Sequence, residues 1–295
     1  MKLCYQTADL FVPDGRDLVT ALSRTTHLGI GAHQDDLELM AFHGILECFQ
    51  SPDLWFTGVT VTDGSGSPRT GLYADHTDEE MRRVRRLEQR KAAVIGGYSA
   101  MLQLDFPSTR VKDPADSSLE QDLYTILREC RPRVVYTHNP ADKHPTHVAV
   151  VAAAVKALRR LPPALRPARV YGCEVWRDLD WLPDSAKVIL DVSGRDNLAA
   201  ALNGVFDSQI SGGKRYDLAT IGRRRANATY LESHGVDLMD QVIFAMDLTP
   251  AIADPSVNVL DLTLKHVHDF AAEICSAWQV YLNGEVRDTA DRSDG

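Results

Sequence analysis

Two short stretches concentrate the side chains that do chemistry on water. The first reads Gly29-Ile30-Gly31-Ala32-His33-Gln34-Asp35-Asp36-Leu37-Glu38, a small apolar lead running into a histidine and two adjacent carboxylates. The second reads Thr137-His138-Asn139-Pro140-Ala141-Asp142-Lys143-His144-Pro145-Thr146-His147. His33 and Asp36 are three residues apart, as are His144 and His147, so each pair can turn toward one point. A hydrolytic zinc site takes three protein ligands and keeps a position for water. His33, Asp36 and one of the two later histidines would make such a set. Asp35 and Asp36 diverge by about 100° on a helical turn. One can bind the ion while the other acts as general base on the attacking water. The remaining histidine is free to act as general acid or to stabilise an oxyanion. The chemistry expected is metal-assisted hydrolysis of an amide or ester. Zinc is the first choice, although a His/His/Asp set accepts other divalent transition metals.

These residues need a scaffold that brings two distant stretches together. Residues 26–32 predict a buried strand, followed by a helix over 36–50. Residues 54–62 are β-branched and aromatic and predict a second strand, ending in the turn-rich run Asp63-Gly64-Ser65-Gly66-Ser67-Pro68. Thr77 and Glu80 form a capping box opening a basic helix that stops at Gly96-Gly97. Strands over 101–106 and 133–138, and helices over 117–130 and from about 145 to 160, complete an alternation of strand and helix. That pattern predicts an α/β, Rossmann-like, mainly parallel sheet with helices on both faces. In such a sheet His33–Asp36 and the later histidines both lie past carboxyl ends of strands, where ligand sites form. Residues 1–160 are expected to carry the catalytic part. Residues 161–295 form a C-terminal α+β extension that completes the fold and the substrate pocket, most simply within one domain. This extension has strands over 169–175 and 187–192, helices over 197–206 and 218–230, a final helix over 259–281 and a polar, disordered tail from 283.

Composition narrows the class. Lys plus Arg is 32 and Asp plus Glu 41, a net charge of −9, which disfavours a broad nucleic-acid or anionic-membrane surface. Five scattered cysteines form no C-x-x-C pair, as expected of a reducing compartment. Neither a signal peptide nor a membrane span is apparent, so a cytoplasmic protein is expected. A homo-oligomer is compatible with the sequence.

Ala32-His33-Gln34-Asp35-Asp36-Leu37-Glu38 resembles the A-H-P-D-D-x-E motif of the PIG-L/LmbE family of zinc-dependent N-deacetylases. Pro140-Ala141-Asp142-Lys143-His144-Pro145-Thr146-His147 is similar to that family's P-x-D-x-H-P-D-H motif. Thr62-Asp63-Gly64 and Arg85-Arg86-Leu87-Glu88 stand where the family has a T-D-G-type loop and an R-x-x-E helix. The resemblance spans residues 26–160. It implies His33, Asp36 and His147 as zinc ligands, Asp35 as general base, His144 as the stabilising or protonating partner and Arg85 as a substrate contact. It also implies a small-molecule substrate, an N-acetylated amino sugar or sugar-containing compound such as a natural-product or thiol-cofactor intermediate. Two departures stand out: Gln34 in place of the motif's proline, and Thr146 in place of its aspartate.

Other readings compete. The enzyme could hydrolyse a different amide or a longer acyl group, or the fold could only bind its ligand. Gly29-x-Gly31 lacks the third small residue of a dinucleotide fingerprint, because Gln34 stands there. Asp63-Gly64-Ser65-Gly66 lacks the lysine of a phosphate loop. Glu38 and Glu88 read as structural partners and His138 as a group behind the site. The Arg223–Arg225 run reads as a solvated face, or as help with an anionic substrate near a pocket mouth.

Overall fold

The computed structural model describes residues 1–282; the tail expected from 283 lies outside the described residues. Eight strands form one sheet: β1 (Asp9–Phe11), β2 (His27–Gly31), β3 (Phe56–Thr62), β4 (Ala100–Phe106), β5 (Val134–His138), β6 (Arg169–Cys173), β7 (Lys187–Asp191) and β8 (Val242–Asp247). Their order is β1-β4-β3-β2-β5-β6-β8-β7. The five central strands, β4 to β6, are parallel, whereas β1 and β8 pair antiparallel to their neighbours. The mainly parallel, Rossmann-like sheet expected from the alternation is therefore present. Residues beyond 160 extend the same sheet with β6, β7 and β8.

The strand order explains how the two chemical stretches meet. From β2 the chain steps outward to β3 and β4, then returns to lay β5 on the other side of β2. That reversal leaves a crevice at the carboxyl ends of β2 and β5, because their following connections run in opposite directions. The register sets Ile30 beside Thr137, so the residues that follow each strand emerge side by side.

The helices are α1 (Leu18–Ser23), α2 (Asp36–Met40), α3 (Phe42–Cys48), α4 (Asp78–Ile95), α5 (Ser108–Val111), α6 (Ser118–Cys130), α7 (Pro145–Arg160), α8 (Asp196–Gly204), α9 (Asp207–Ile210), α10 (Tyr216–Thr229), α11 (Thr249–Ala253) and α12 (Val259–Leu282). Apolar faces of α1, α6, α7 and α11 cover one side of the sheet, and those of α2, α3, α4 and α8 the other. Strand β8 shows the period: Val242, Phe244 and Met246 join the first core while Ile243 and Ala245 join the second. Gly29 has a packing role rather than a phosphate role. A Cβ there would meet Leu37 Cδ2 and Phe56 Cζ at 2.8 Å, so its absence lets α2 lie close on β2.

Several local expectations are corrected. The helix expected over 36–50 is two helices, broken at Ala41 (φ −107°, ψ 17°). Strands β1 and β8 add to the expected set: the first has only three residues, and the second is a continuous apolar run covered on both faces, whose lack of alternation leaves strand and buried helix undistinguished in the sequence. The capping box of α4 is present, with Glu80 N–H donating to Thr77 Oγ1 at 3.3 Å and Thr77 N–H to Glu80 Oε2 at 2.8 Å.

Candidate active site and metal centre

Past the end of β2 the chain turns sharply. His33 N–H donates to Asp36 Oδ2 at 2.7 Å, folding the Asp36 carboxylate back over the turn. Asp35 sits at φ 93°, ψ −32°, a conformation that costs a non-glycine residue about 1–3 kcal/mol. The surroundings hold it there. Asp35 N–H donates to Gln89 Oε1 at 3.2 Å, and the Arg85 guanidinium bonds the Gln34 carbonyl and, at 3.2 Å, Asp35 Oδ2. The outcome is that the two carboxylates face different partners, Asp35 toward Arg85 and Asp36 toward the histidines.

The second stretch arrives from β5 and the start of α7. Pro145 occupies the first helical position, where its missing N–H costs nothing. His33 Nδ1 and His147 Nε2 lie 3.2 Å apart. Asp36 Oδ2 is 3.3 Å from the first and 3.5 Å from the second. His144 stands beside them, its ring centroid 4.9 Å from that of His33 and 4.6 Å from that of His147. Among the described residues, two overlapping groups could hold an ion, His33/His144/His147 and Asp36/His138/His147, and His147 belongs to both.

Supporting contacts fix these rings. Asp142 Oδ2 lies 3.3 Å from His147 Nδ1 and accepts from Trp176 N–H at 3.2 Å, while Asp142 Oδ1 accepts from His144 N–H at 2.9 Å. Asp142, not residue 146, thus holds the His147 ring; Thr146 lines the adjoining cavity. His138 is buried, stacks on His147 at 3.8 Å and accepts from Ala32 N–H at 2.9 Å, tying the ends of β2 and β5 together. Gln34, the departure from the motif's proline, is buried and donates to the Thr62 carbonyl at 3.0 Å. Its side chain pins the loop after β3 to the turn after β2.

Electrostatics divide the two aspartates. Burial pushes the Asp35 carboxyl up; Arg85 opposes this and the neighbouring Asp36 charge adds to it. For Asp36 the same burial is outweighed by His147 and His138, which hold it well below the carboxylate range. Burial pushes His138 and His144 down to about 4, with the His147 charge as the next cause for each, so both rings are neutral at pH 7. His147 is held up, because Asp36 and Asp142 outweigh its desolvation.

Glu38 and Glu88, read from the sequence as structural partners, belong to a buried polar network behind the site whose other members the sequence reading missed. Gln89 Nε2 and Tyr98 Oη both donate to Glu38 Oε1, at 2.8 and 2.7 Å. Burial raises the Glu38 carboxyl to about 8. Arg224, on α10, bonds the Glu38 and Leu39 carbonyls at 2.7 and 3.1 Å, groups at the C-terminal end of α2 beside the break at Ala41. Glu88 accepts two bonds from Ser208, both at 2.7 Å, docking α9 against α4. A signal for part of this existed. The buried stripe of α4 includes Arg85, Glu88 and Gln89, and polar side chains on an inward stripe imply a buried network.

Arg85 lies in the wall of a cavity of about 740 Å³ that also contains His33, Asp35, Asp36 and His144. The C-terminal part of the chain supplies the opposite wall, including Trp176, Gln209, Lys214, Tyr216 and Arg223.

The geometry can be set beside known proteins. The family model described as PIG-L, GlcNAc-PI de-N-acetylase, matches residues 28–158. An Escherichia coli (strain K12) protein described as the uncharacterized deacetylase YaiS is 30% identical over 158 residues, covering 52% of this chain and 79% of the relative. The chain belongs to the PIG-L family. The solved structures that share its fold include two enzymes. The 4-carboxy-2-hydroxymuconate hydratase GalB from Pseudomonas putida KT2440 aligns with a TM-score of 0.59 at 18% identity, over 77% of this chain and 97% of that one. The N,N'-diacetylchitobiose deacetylase from Pyrococcus horikoshii aligns with a TM-score of 0.55 at 18% identity, over 75% and 83%. At such identities these likenesses concern the fold alone. PIG-L membership makes this chain one of a deacetylase family, and no described helix is long and apolar enough to cross a membrane.

Proposed function

We propose that this PIG-L protein is a metal-dependent N-deacetylase of an amino sugar or a sugar-containing small molecule. The observation that carries the reading is the triangle of His33 Nδ1, Asp36 Oδ2 and His147 Nε2, with edges of 3.2, 3.3 and 3.5 Å. Ligands 2.0–2.1 Å from a tetrahedral zinc ion are separated by about 3.3–3.4 Å. Three lone-pair-bearing atoms this close repel one another unless a cation or protons lie between them. The donor set therefore fits a divalent transition ion, zinc first. The chemistry such an ion supplies is Lewis-acid polarisation of the acyl carbonyl and of the attacking water.

The chain's own groups do the rest. Asp35, raised by burial and not part of the triangle, takes the proton from the attacking water. Arg85 holds that carboxylate in place through Nη2 and stands in the cavity wall where a sugar hydroxyl would pass. His144, neutral and beside the triangle, offers a ring N–H to the developing oxyanion or relays the proton to the departing amine. Acetate and a free amine are the products. The cavity is large enough for more than one sugar ring. Lys112, Lys143, Lys214 and Arg223 line it, and among the described residues none forms an ion pair with a carboxylate. A substrate bearing a carboxylate or phosphate suits that wall better than a neutral one.

The test is acetate release from N-acetylated amino sugars and their conjugates by wild-type protein and by Asp35→Asn. Release by the wild type, lost in the variant, is expected. Hydrolysis confined to longer acyl chains would move the reading to a different amidase, and ligand binding with no release from any substrate would reduce it to a binding protein.

A further inference from the structure

Helix α12, with 24 residues, is the longest helix described and the least embedded: Thr263 is its one buried residue. Val259 and Leu262 pack on the core beneath its first turns, whereas every residue from 271 to 282 is exposed. At 1.5 Å per residue, about 18 Å of helix stands in solvent. A stretch of that length is marginal in water by itself.

Its sequence supplies a seam. Leu260, Leu264, Val267, Ala271, Ile274, Trp278 and Tyr281 follow one another at steps of four, three, four, three, four and three. This is an unbroken a/d pattern over three heptads. The seam is open: Leu260 is 61% exposed, Trp278 63% and Tyr281 82%. On the opposite side Asp261, Lys265, Asp269 and Glu273 recur every four residues, with Lys265 Nζ 2.6 Å from Asp269 Oδ2. Residues 283–295 contain Val286 as their one large aliphatic side chain and no aromatic one, so they offer no matching seam.

We propose that α12 pairs with α12 of a second copy of this chain, antiparallel about a twofold axis. An antiparallel register sets Trp278 against Leu260, Ile274 against Leu264 and Ala271 against Val267, so that the large indole faces an aliphatic side chain and no layer sets two aromatics or two alanines together. A parallel pair would stack Trp278 on Trp278 and leave Ala271 facing Ala271, too wide at one layer and too narrow at the next. Each copy presents the same surface, as a twofold interface requires. Six paired seam side chains at roughly 100 Å² each cover about 600 Å² per copy, the lower end of the ~600–1,000 Å² per partner of a specific interface. The net acidic outer side does not suit an anionic membrane surface.

Sedimentation of the full chain between about 1 and 100 µM tests this. The wild type is expected to sediment at twice the chain mass. Ile274→Asp and, separately, Trp278→Ala are expected to weaken the dimer by about 30-fold or more while leaving the thermal unfolding of the globular part intact. In a Cys275→Ser background, Leu260→Cys combined with Trp278→Cys is expected to give a disulfide-linked dimer under mild oxidation that neither cysteine gives alone. A wild type that stays monomeric at 100 µM, or a dimer indifferent to both seam substitutions, overturns the proposal. So does a monomer that binds neutral phospholipid vesicles through the same residues, which would assign the seam to a lipid surface.

Discussion

Asp142→Asn is the substitution that best separates a metal-holding role for His147 from mere packing. Asp142 is buried, and both its oxygens are engaged: Oδ2 with His147 Nδ1 at 3.3 Å and Trp176 N–H at 3.2 Å, Oδ1 with His144 N–H at 2.9 Å. Burial would raise its carboxyl, but these bonds hold it below its ordinary value. As an acceptor it keeps the proton on His147 Nδ1 and leaves the Nε2 lone pair aimed at Asp36 and His33. Asparagine replaces one oxygen with an NH₂ group. An NH₂ facing Nδ1 would drive the imidazole proton to Nε2, the atom needed for the ion. Losing such an outer hydrogen bond lowers metal affinity about 10- to 100-fold, or about 1.4–2.7 kcal/mol. Competition for zinc against a chelating dye measures this directly, with circular dichroism to confirm that the variant is folded. A folded Asp142→Asn protein that binds zinc within twofold of wild type would refute the tautomer argument.

Other expectations concern the network and the cavity. Glu38, carried from 4.5 to about 8 in the fold, keeps a proton that the unfolded chain releases. Stability of the chelator-treated protein should therefore fall as pH rises from 4.5 to about 8, by up to about 5 kcal/mol at ~1.4 kcal/mol per unit. Glu38→Gln should remove that fall, so the variant's Tm advantage should grow between pH 5 and 8; parallel Tm curves would count against a protonated Glu38. Gln34→Leu leaves the buried Thr62 carbonyl without its donor and should cost about 1–3 kcal/mol, read as a lower urea midpoint; an unchanged midpoint would mean the loop after β3 is held elsewhere. Combining Lys214→Ala with Arg223→Ala should raise KM for a phosphorylated or carboxylated acetamido sugar about tenfold or more and spare its neutral analogue, because uncompensated cavity cations act on the charged substrate alone. Equal effects on both substrates would remove the preference for an anion.

Much of the fold and of the candidate site was legible in the sequence because the candidate residues sit on contiguous motifs. His33, Asp35 and Asp36 occupy one turn, and His144 and His147 one helix start. The strand–helix alternation before each is enough to predict that both reach the same sheet edge. What could not be read depends on residues brought from far along the chain. Nothing near Glu38 in sequence announces Gln89, Tyr98 or Arg224. In the sequence α4 shows only as a basic helix, yet Arg82 and Arg86 both bond Asp105 and Arg90 bonds Asp9. Their charges serve to fasten α4 to the outer strands. Gln34 stands out in the sequence only as a departure from the motif's proline, and its role as a bridge to the Thr62 carbonyl appears once β3 is seen beside β2. The break at Ala41 has the same origin, since the guanidinium near it comes from α10.

The central claim is that one ion held by His33, Asp36 and His147 works with Asp35 as base. The most direct measurement is metal content and acetate release determined on the same preparations of wild type, Asp35→Asn and His147→Ala. The account predicts one ion per chain with acetate release for the wild type, one ion without release for Asp35→Asn, and neither for His147→Ala. Acetate release at the wild-type rate from Asp35→Asn, or from wild-type protein stripped of metal, would contradict it.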